Sequence, residues 1–407
     1  MQISQSAPHF FTTSLSPTGA PLPPTENHTE HTSNEQTYTR IFNEISHRYA
    51  VFNQENEIGF QHKPGITGDI DSITKKEIIS ILKHIKSDPA LFEQCQKSSA
   101  NSPLFTKLYL MSNNDQGWNL RLHTFSVKDR GLGGEDSPHY HRWTLASQVL
   151  SGGYLNVNYE EGSLDQPHAK DHEYSKYELS ASKNQSSKDS RHTAFISKAT
   201  MTPVSKELYA EGGTNHFPIN LAHSVETHAS VMGTTTTLAH TAKSVTDKSY
   251  AFEKNDEIKE IPQIKIESKA EFENILQSQI TFLQILDLKS ELNTQLTEAR
   301  RLNLPLTPRE ENHLNDYHEP NYVETSLLPA LAMYQLESIN GIIHSEFSEQ
   351  TVKFIDAKLS EVDYDSLDAL ISNNQLDLFD KLLSVEIVDT DLARQLNDRP
   401  NPIITLT

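Results

Sequence analysis

From Tyr38 the apolar residues Ile41, Phe42, Ile45, Tyr49 and Phe52 recur at the spacing of one helix face. A second helix is expected after Thr74. There Thr74 and Glu77 form a capping box ahead of Ile78, Ile79, Ile81, Leu82 and Ile85, and Asp88-Pro89 ends or breaks the run. Residues 1–36 are rich in Ser, Thr, Pro, Asn and His and show no period, which reads as a disordered arm. Residues 37–99 then form a helical lead-in.

The texture changes near residue 100. Leu104–Leu110 and Trp118–Val127 are short segments of aromatic and alternating character, separated by the turn-rich SNNDQG. In the second segment Leu120, Leu122 and Thr124 share one face, while Asn119, Arg121 and His123 share the other. The glycine-rich RGLGGEDSP leads into HYHRWTLASQVLSGGYLNVNY, which reads as two strands around Ser151-Gly152-Gly153. Residues from about 160 to 191 are polar and periodless, as a surface insertion would be. Strand character returns from His192 and fades near Lys243. The β region therefore spans about 100–245.

A charged linker is expected over 246–266, and helical spacing over 267–407. Ser268 and Glu271 cap a long helix carrying Phe272, Ile275, Leu276, Leu283 and Leu286. Thr307, Pro308 and Glu310 mark another start, with proline at the first helical position. Further helices are expected over Val323–His344 and Glu349–Leu359. SLDALISNN and QLDLFDKLLS together resemble one ankyrin-like helical hairpin, and a single copy is no repeat array.

Composition narrows the function. The formal charge of −20 argues against nucleic acid as the main partner, because phosphate contacts need clustered Lys and Arg. No apolar run reaches the roughly 18 residues needed to cross a bilayer. The start, MQISQSAPHFFTTS, lacks the basic and apolar blocks of a secretory signal, so a soluble, cytoplasmic chain is expected. The single cysteine, Cys95, excludes an internal disulfide and a cysteine-based metal cluster, and reads as a small helix residue. Nineteen histidines are the unusual entry in the composition.

Side chains at i and i+2 of a strand point the same way, so His139 and His141 present two imidazoles on one face. A third metal ligand must come from elsewhere, and His223 in INLAHSVE, in an apolar strand-like setting, is the best candidate. His216, in the loop-like TNHFP, is its rival. Three nitrogen ligands leave coordination positions for water, O2 or substrate, which suits iron and less distinctively zinc, nickel or copper. His168, His172 and His192 fall in or beside the polar insertion and read as solvated. Arg142 and Trp143 read first as structural residues.

Gly134, His139, His141 and the turn glycines Gly152 and Gly153 together resemble the first motif of the cupin superfamily, and His223 resembles its lone second-motif histidine. Where most members carry a Glu this chain has Leu145 and Ala146. That departure points to the three-histidine branch of cysteine dioxygenase-like proteins. SPLFTKLYL, WNLRLHTF, PHYH and INLAHSVE follow the order of that family's segments. The resemblance covers about residues 100–245. It implies an α+β fold in which a cupin-type β-barrel (double-stranded β-helix, or jelly roll) follows short helices and precedes an all-α C-terminal region. It also implies Fe2+ on His139, His141 and His223, with Zn2+, Mn2+, Ni2+ or Cu2+ as alternatives. The family's carboxylate-binding Arg falls at or near Lys107, a point charge in place of a planar fork. Arg121 is its substitute if it enters the barrel, with His123 lining the pocket.

The leading expectation is therefore a mononuclear non-haem iron dioxygenase-like protein acting on a small anionic or thiol substrate. Two other classes fit the same residues. One is a binding or scaffold module, such as an exported bacterial effector, that engages a protein partner through its C-terminal helices. The other is a metal-dependent isomerase or lyase.

Overall fold

The computed structural model describes residues 26–55, 70–101, 105–125, 137–163, 172–180, 192–227, 233–244, 246, 248–254, 264–339 and 347–383. Helix α1 runs Glu26–Glu55, so it reaches back into the segment read as a disordered arm. Its buried face is the expected one, with Ile41, Ile45 and Tyr49. Helix α2 (Lys75–Ser87) begins at the Thr74 cap, and both bonds of the capping box are made. Asp88 ends α2 and also caps α3 (Pro89–Ser98), accepting hydrogen bonds from the backbone N–H groups of Ala90 and Leu91.

Twelve strands follow among the described residues: β1 (Ala100–Asn101), β2 (Thr106–Asn113), β3 (Trp118–Phe125), β4 (Leu145–Ser151), β5 (Gly153–Gly162), β6 (Glu173–Ser180), β7 (His192–Ala210), β8 (Thr214–Phe217), β9 (Ala222–Glu226), β10 (Thr235–Thr241), β11 (Lys248–Glu253) and β12 (Ile264–Lys265). They form a seven-stranded sheet, ordered β12-β1-β2-β3-β10-β4-β8, and a five-stranded sheet, ordered β11-β6-β7-β5-β9. Every pairing is antiparallel.

Two segments read as irregular carry strands. Within the polar insertion, β6 pairs with β7 and β11. A register shift at Lys176/Tyr177 breaks its alternation, so Tyr174 and Tyr177 are both buried and no period of two is visible. Within the charged linker, β11 pairs with β6 and β12 with β1. Residues 164–171 and 181–191 of the insertion lie outside the described residues.

The C-terminal helices are α4 (Lys269–Arg301), α5 (Pro308–Asp316), a π-helical turn (Val323–Leu327) running into α6 (Leu328–Ile339), α7 (Glu349–Leu359) and α8 (Tyr364–Leu383). The expected caps of α4 and α5 form at Ser268 and Thr307. The helical hairpin expected near the end is instead one helix, α8. Asn374 does not break it, because its buried side chain donates to the Glu324 carbonyl (2.9 Å), so the polar pair has a tertiary partner. Beyond residue 383 the expected helical region lies outside the described residues.

One contiguous core joins both helical groups to the seven-stranded sheet. Ile78, Ile81 and Leu82 of α2 share it with Leu120 and Leu122 of β3 and with Leu276, Leu283 and Leu286 of α4. Phe92 of α3 meets Phe272 of α4 edge to face at 4.9 Å. The C-terminal helices therefore do not carry a separate core. A second cluster lies between the two sheets: Leu145 and Val149 (β4), Phe217 (β8) and Ala239 (β10) meet Tyr154 (β5), with Tyr209 and Val225 packed against them.

Candidate metal centre

The two histidines of the HYH segment are not on a regular strand. His139 lies in a stretch bound by single bridges on both sides. Its N–H donates to the His223 carbonyl (2.9 Å), and the His223 N–H donates back to the His139 carbonyl (3.0 Å). On the other side the Tyr140 N–H donates to the Tyr250 carbonyl (2.8 Å) and the Phe252 N–H to the Pro138 carbonyl (2.9 Å). Residues 138–140 thus join β9 to β11, the two edges of the five-stranded sheet. This closure corrects the expected strand start and explains the site, because it sets His139 and His223 directly opposite each other.

The three imidazoles converge. Ring centroids are 4.9 Å apart for His139–His141, 4.7 Å for His139–His223 and 4.9 Å for His141–His223. One nitrogen from each lies within 4.8 Å of the others. Nε2 of His141 is 2.8 Å from Nε2 of His223. Two nitrogens each about 2.0–2.1 Å from one ion, at right angles, sit about 3 Å apart, so the spacing fits a shared cation. Among the described residues this is the one group of His, Cys, Asp and Glu side chains that could hold a metal ion.

The far sides of two of the rings also fit. His223 Nδ1 lies 2.9 Å from Asn156 Oδ1, and His139 Nδ1 lies 2.9 Å from the Ser137 carbonyl. Both partners accept, so each Nδ1 carries the proton and each Nε2 the lone pair a metal needs. His223 is buried, and its pKa is held well below the usual histidine value by burial first and by the charges of His139 and His141 second. A neutral imidazole is the ligating form.

Arg121 and His123 reach the same interior. Their cross-strand neighbours are Ala239 and Thr237 on β10, and Ala239 belongs to the inter-sheet cluster with Phe217. Phe217 in turn lies 4.3 Å from His223, ring to ring. Arg121 is only 6% exposed, its Nε has no hydrogen-bond partner, and no carboxylate pairs with it among the described residues. Its guanidinium lies over Tyr109 (5.4 Å) and Trp143 (5.8 Å), and the Trp143 ring is 6.1 Å from His141. His123 carries a sealed, unpartnered Nε2. Burial, then Arg121, Lys107 and His141, hold its pKa well below the usual value. Lys107 stands opposite His123 across the β2–β3 pair.

Other polar residues of the β region are not brought to the cluster. His216 is exposed on β8 opposite Ala146. Gln148 alternates with Leu145, Ser147 and Val149 and falls on the helix-facing side of β4, with Ala146 and Leu150. His240 packs near Trp118 and Tyr49 on that same side, and burial pushes its pKa down to about 3. Gly134 and His168 lie outside the described residues. The sequence reading passed over Asn156 and Phe217. The Asn-x-Asn alternation in YLNVNYE, two amides on one strand face, was the available signal for the first.

Fold and site define an α+β protein of two antiparallel sheets with a three-histidine cluster. No protein-family model matches the chain, and no curated protein matches it. Solved structures resemble it over part of its length. A chain from the crystal structures of the DMSP lyases RdDddP and RnDddQII is 13% identical over 36% of this chain and 51% of its own length, with a TM-score of 0.20. This chain thus spans about half of that lyase chain. An RmlC-like cupin from Shewanella frigidimarina NCIMB 400 is 12% identical over 36% of this chain and 87% of its own, with a TM-score of 0.19. Hydroquinone 1,2-dioxygenase PnpCD, in complex with Cd2+ and 4-hydroxybenzonitrile, is 13% identical over 34% and 63%, with a TM-score of 0.20. At these scores the likenesses add nothing to the chemistry read from the residues. Among the described residues no helix is long and apolar enough to cross a membrane.

Proposed function

We propose that this chain is a mononuclear metal-dependent dioxygenase-like cupin acting on a small anionic substrate. The observation that carries the proposal is the convergence of three imidazoles, two of which (His139 and His223) have Nδ1 held by a neutral acceptor, while Nε2 of His141 and His223 meet. Fe2+ held there would supply O2-dependent redox chemistry and Lewis acidity. Leu145 and Ala146 stand where a fourth, carboxylate ligand is expected, so the protein supplies three neutral ligands and leaves the ion's charge for substrate.

The rest of the site supports an anion. A buried arginine without a carboxylate is costly unless something arrives to pair with it. The Arg121 fork, flanked by Tyr109 and Trp143, would take a carboxylate or a similar oxyanion. The buried indole N–H of Trp143 has no acceptor among the described residues and is a second donor for the same group. His123, kept neutral, can offer substrate a hydrogen bond without adding charge. Phe217 and Val149 supply apolar wall.

The test is elemental analysis of purified protein, followed by O2-electrode assays of the iron-loaded form with small thiols and carboxylates. Iron at one equivalent with substrate-dependent O2 uptake supports the reading. Turnover without O2 would move it to a lyase or isomerase. A wild-type protein that binds no divalent metal ends it.

A further inference from the structure

We infer that Asn156 is a positioning residue for the metal centre and works through an amide relay running from His223 to Ser205. The inference rests on the metal-site reading above. It adds a residue outside the histidine cluster and a direction of hydrogen bonding that the cluster alone does not fix.

Asn156 and Asn158 lie two apart on β5 and so share a face. Asn158 is directly opposite His223 in the β5–β9 pair, and Asn156 is opposite Val225. From that diagonal position the buried Asn156 places Oδ1 2.9 Å from His223 Nδ1. Its Nδ2 donates to Asn158 Oδ1 (3.0 Å), and Asn158 Nδ2 donates to Ser205 Oγ (2.8 Å) on β7. Each amide thus spends its donor on the next member, and the acceptor left to Asn156 faces the imidazole. Reversing the amides would present an NH2 to Nδ1, force the proton onto Nε2 and remove the lone pair that a metal requires. In this orientation the relay holds His223 in its ligating tautomer.

The chemical character of the acceptor also matters. A carboxylate behind a ligating histidine raises its basicity and places a negative charge near the ion. Asn156 orients the ring without that charge, and the Ser137 carbonyl does the same for His139. A site with neutral ligands and neutral supports holds the strongest pull on an anion in its open positions.

The full-length chain, Asn156→Leu and Asn156→Asp are titrated with Co2+ alone, followed by the cobalt absorption bands, and each cobalt form is then titrated with azide. Long-range 15N–1H spectra of the metal-free proteins report the His223 tautomer. Asn156→Leu should bind Co2+ about 10–100-fold more weakly and lose the pure Nδ1–H tautomer. Asn156→Asp should retain or tighten Co2+ binding, shift the cobalt bands and weaken azide several-fold. Unchanged Co2+ affinity and tautomer in Asn156→Leu would overturn the inference. Should that variant fail to fold, an Asn156→Asp protein with wild-type cobalt bands and azide affinity overturns it equally. Failure of the wild type to bind Co2+ instead removes the metal-site reading on which it stands.

Discussion

Nε2 of His141 and Nε2 of His223 face each other at 2.8 Å although 82 positions separate them. Two imidazole lone pairs at that distance repel, so the pair requires a proton or a cation between them. Wild-type protein should purify with about one equivalent of divalent metal, and His139→Ala, His141→Ala and His223→Ala should each lose it, as elemental analysis reads. Chelation should lower the thermal midpoint of the wild type and leave that of His223→Ala unmoved. A ligand present at a hundred times its Kd contributes about 2.7 kcal/mol.

Arg121 tests the substrate class. Replacing it with Met keeps the aliphatic stem against Tyr109 and Trp143 but removes the charge. A hydrogen bond to a charged group is worth about 1.5–3 kcal/mol, so KM for an anionic substrate should rise about 10–100-fold with a smaller change in kcat. Arg121→Lys should restore only part of the loss, since a point charge does not reproduce the fork. Equal kinetics in all three proteins would remove Arg121 from the site.

Glu211, just after β7, joins both helical groups to the sheets. Its carboxylate lies 2.6 Å from Lys75 Nζ at the start of α2 and 2.8 Å from the buried Lys289 Nζ on α4. Burial alone would raise its pKa, but Lys289 and Lys75 outweigh burial and hold it below the usual value. A depressed carboxylate pKa contributes stability above the unfolded value, about 4.3, and loses it as pH falls through the folded value. The thermal midpoint should therefore stay level near neutrality and drop below about pH 4. Glu211→Gln should flatten that acid limb. At pH 7 it should cost about 3 kcal/mol in denaturant melts, because Lys289 stays buried without its anion.

Gly233 is constrained by a helix from the C-terminal group. Its φ is +62°, and an added Cβ would lie 2.4 Å from a carboxylate oxygen of Glu324. The other oxygen accepts the Thr234 N–H at 2.6 Å. Gly233→Ala should cost about 1–3 kcal/mol in chemical denaturation from the left-handed backbone alone. A destabilisation of only a few tenths would overturn this, showing that the backbone relaxes out of the left-handed region.

Cys95 should be chemically silent. It is buried on α3, its Sγ is 3.7 Å from the Leu110 carbonyl, and burial pushes its pKa up to about 12. Aromatic disulfide reagents should label no thiol in the native protein and one after denaturation.

Much of this architecture was legible without coordinates. The Thr74–Glu77 capping box and the helix start at Thr307 formed where they were read, because a cap is satisfied within four residues. The alternation in WNLRLHTF assigned Leu120 and Leu122 to the core side and Arg121 and His123 to the other, because a strand's period of two is a local property. Elements whose stability comes from distant partners were misread. β6, β11 and β12 look polar on their own and exist through the strands they pair with, and α8 is carried through its Asn pair by a bond to Glu324.

The sequence by itself determined which residue types could make a nitrogen-ligand site, and it singled out His139, His141 and His223 from nineteen histidines. Only the tertiary structure decided that they meet. His139 has no strand ladder of its own; it is fixed by bridges to His223 and Ala251, and so by the closing of one sheet's two edges. Side-chain chemistry is written residue by residue, whereas convergence depends on long-range backbone pairing, for which local spacing holds no record.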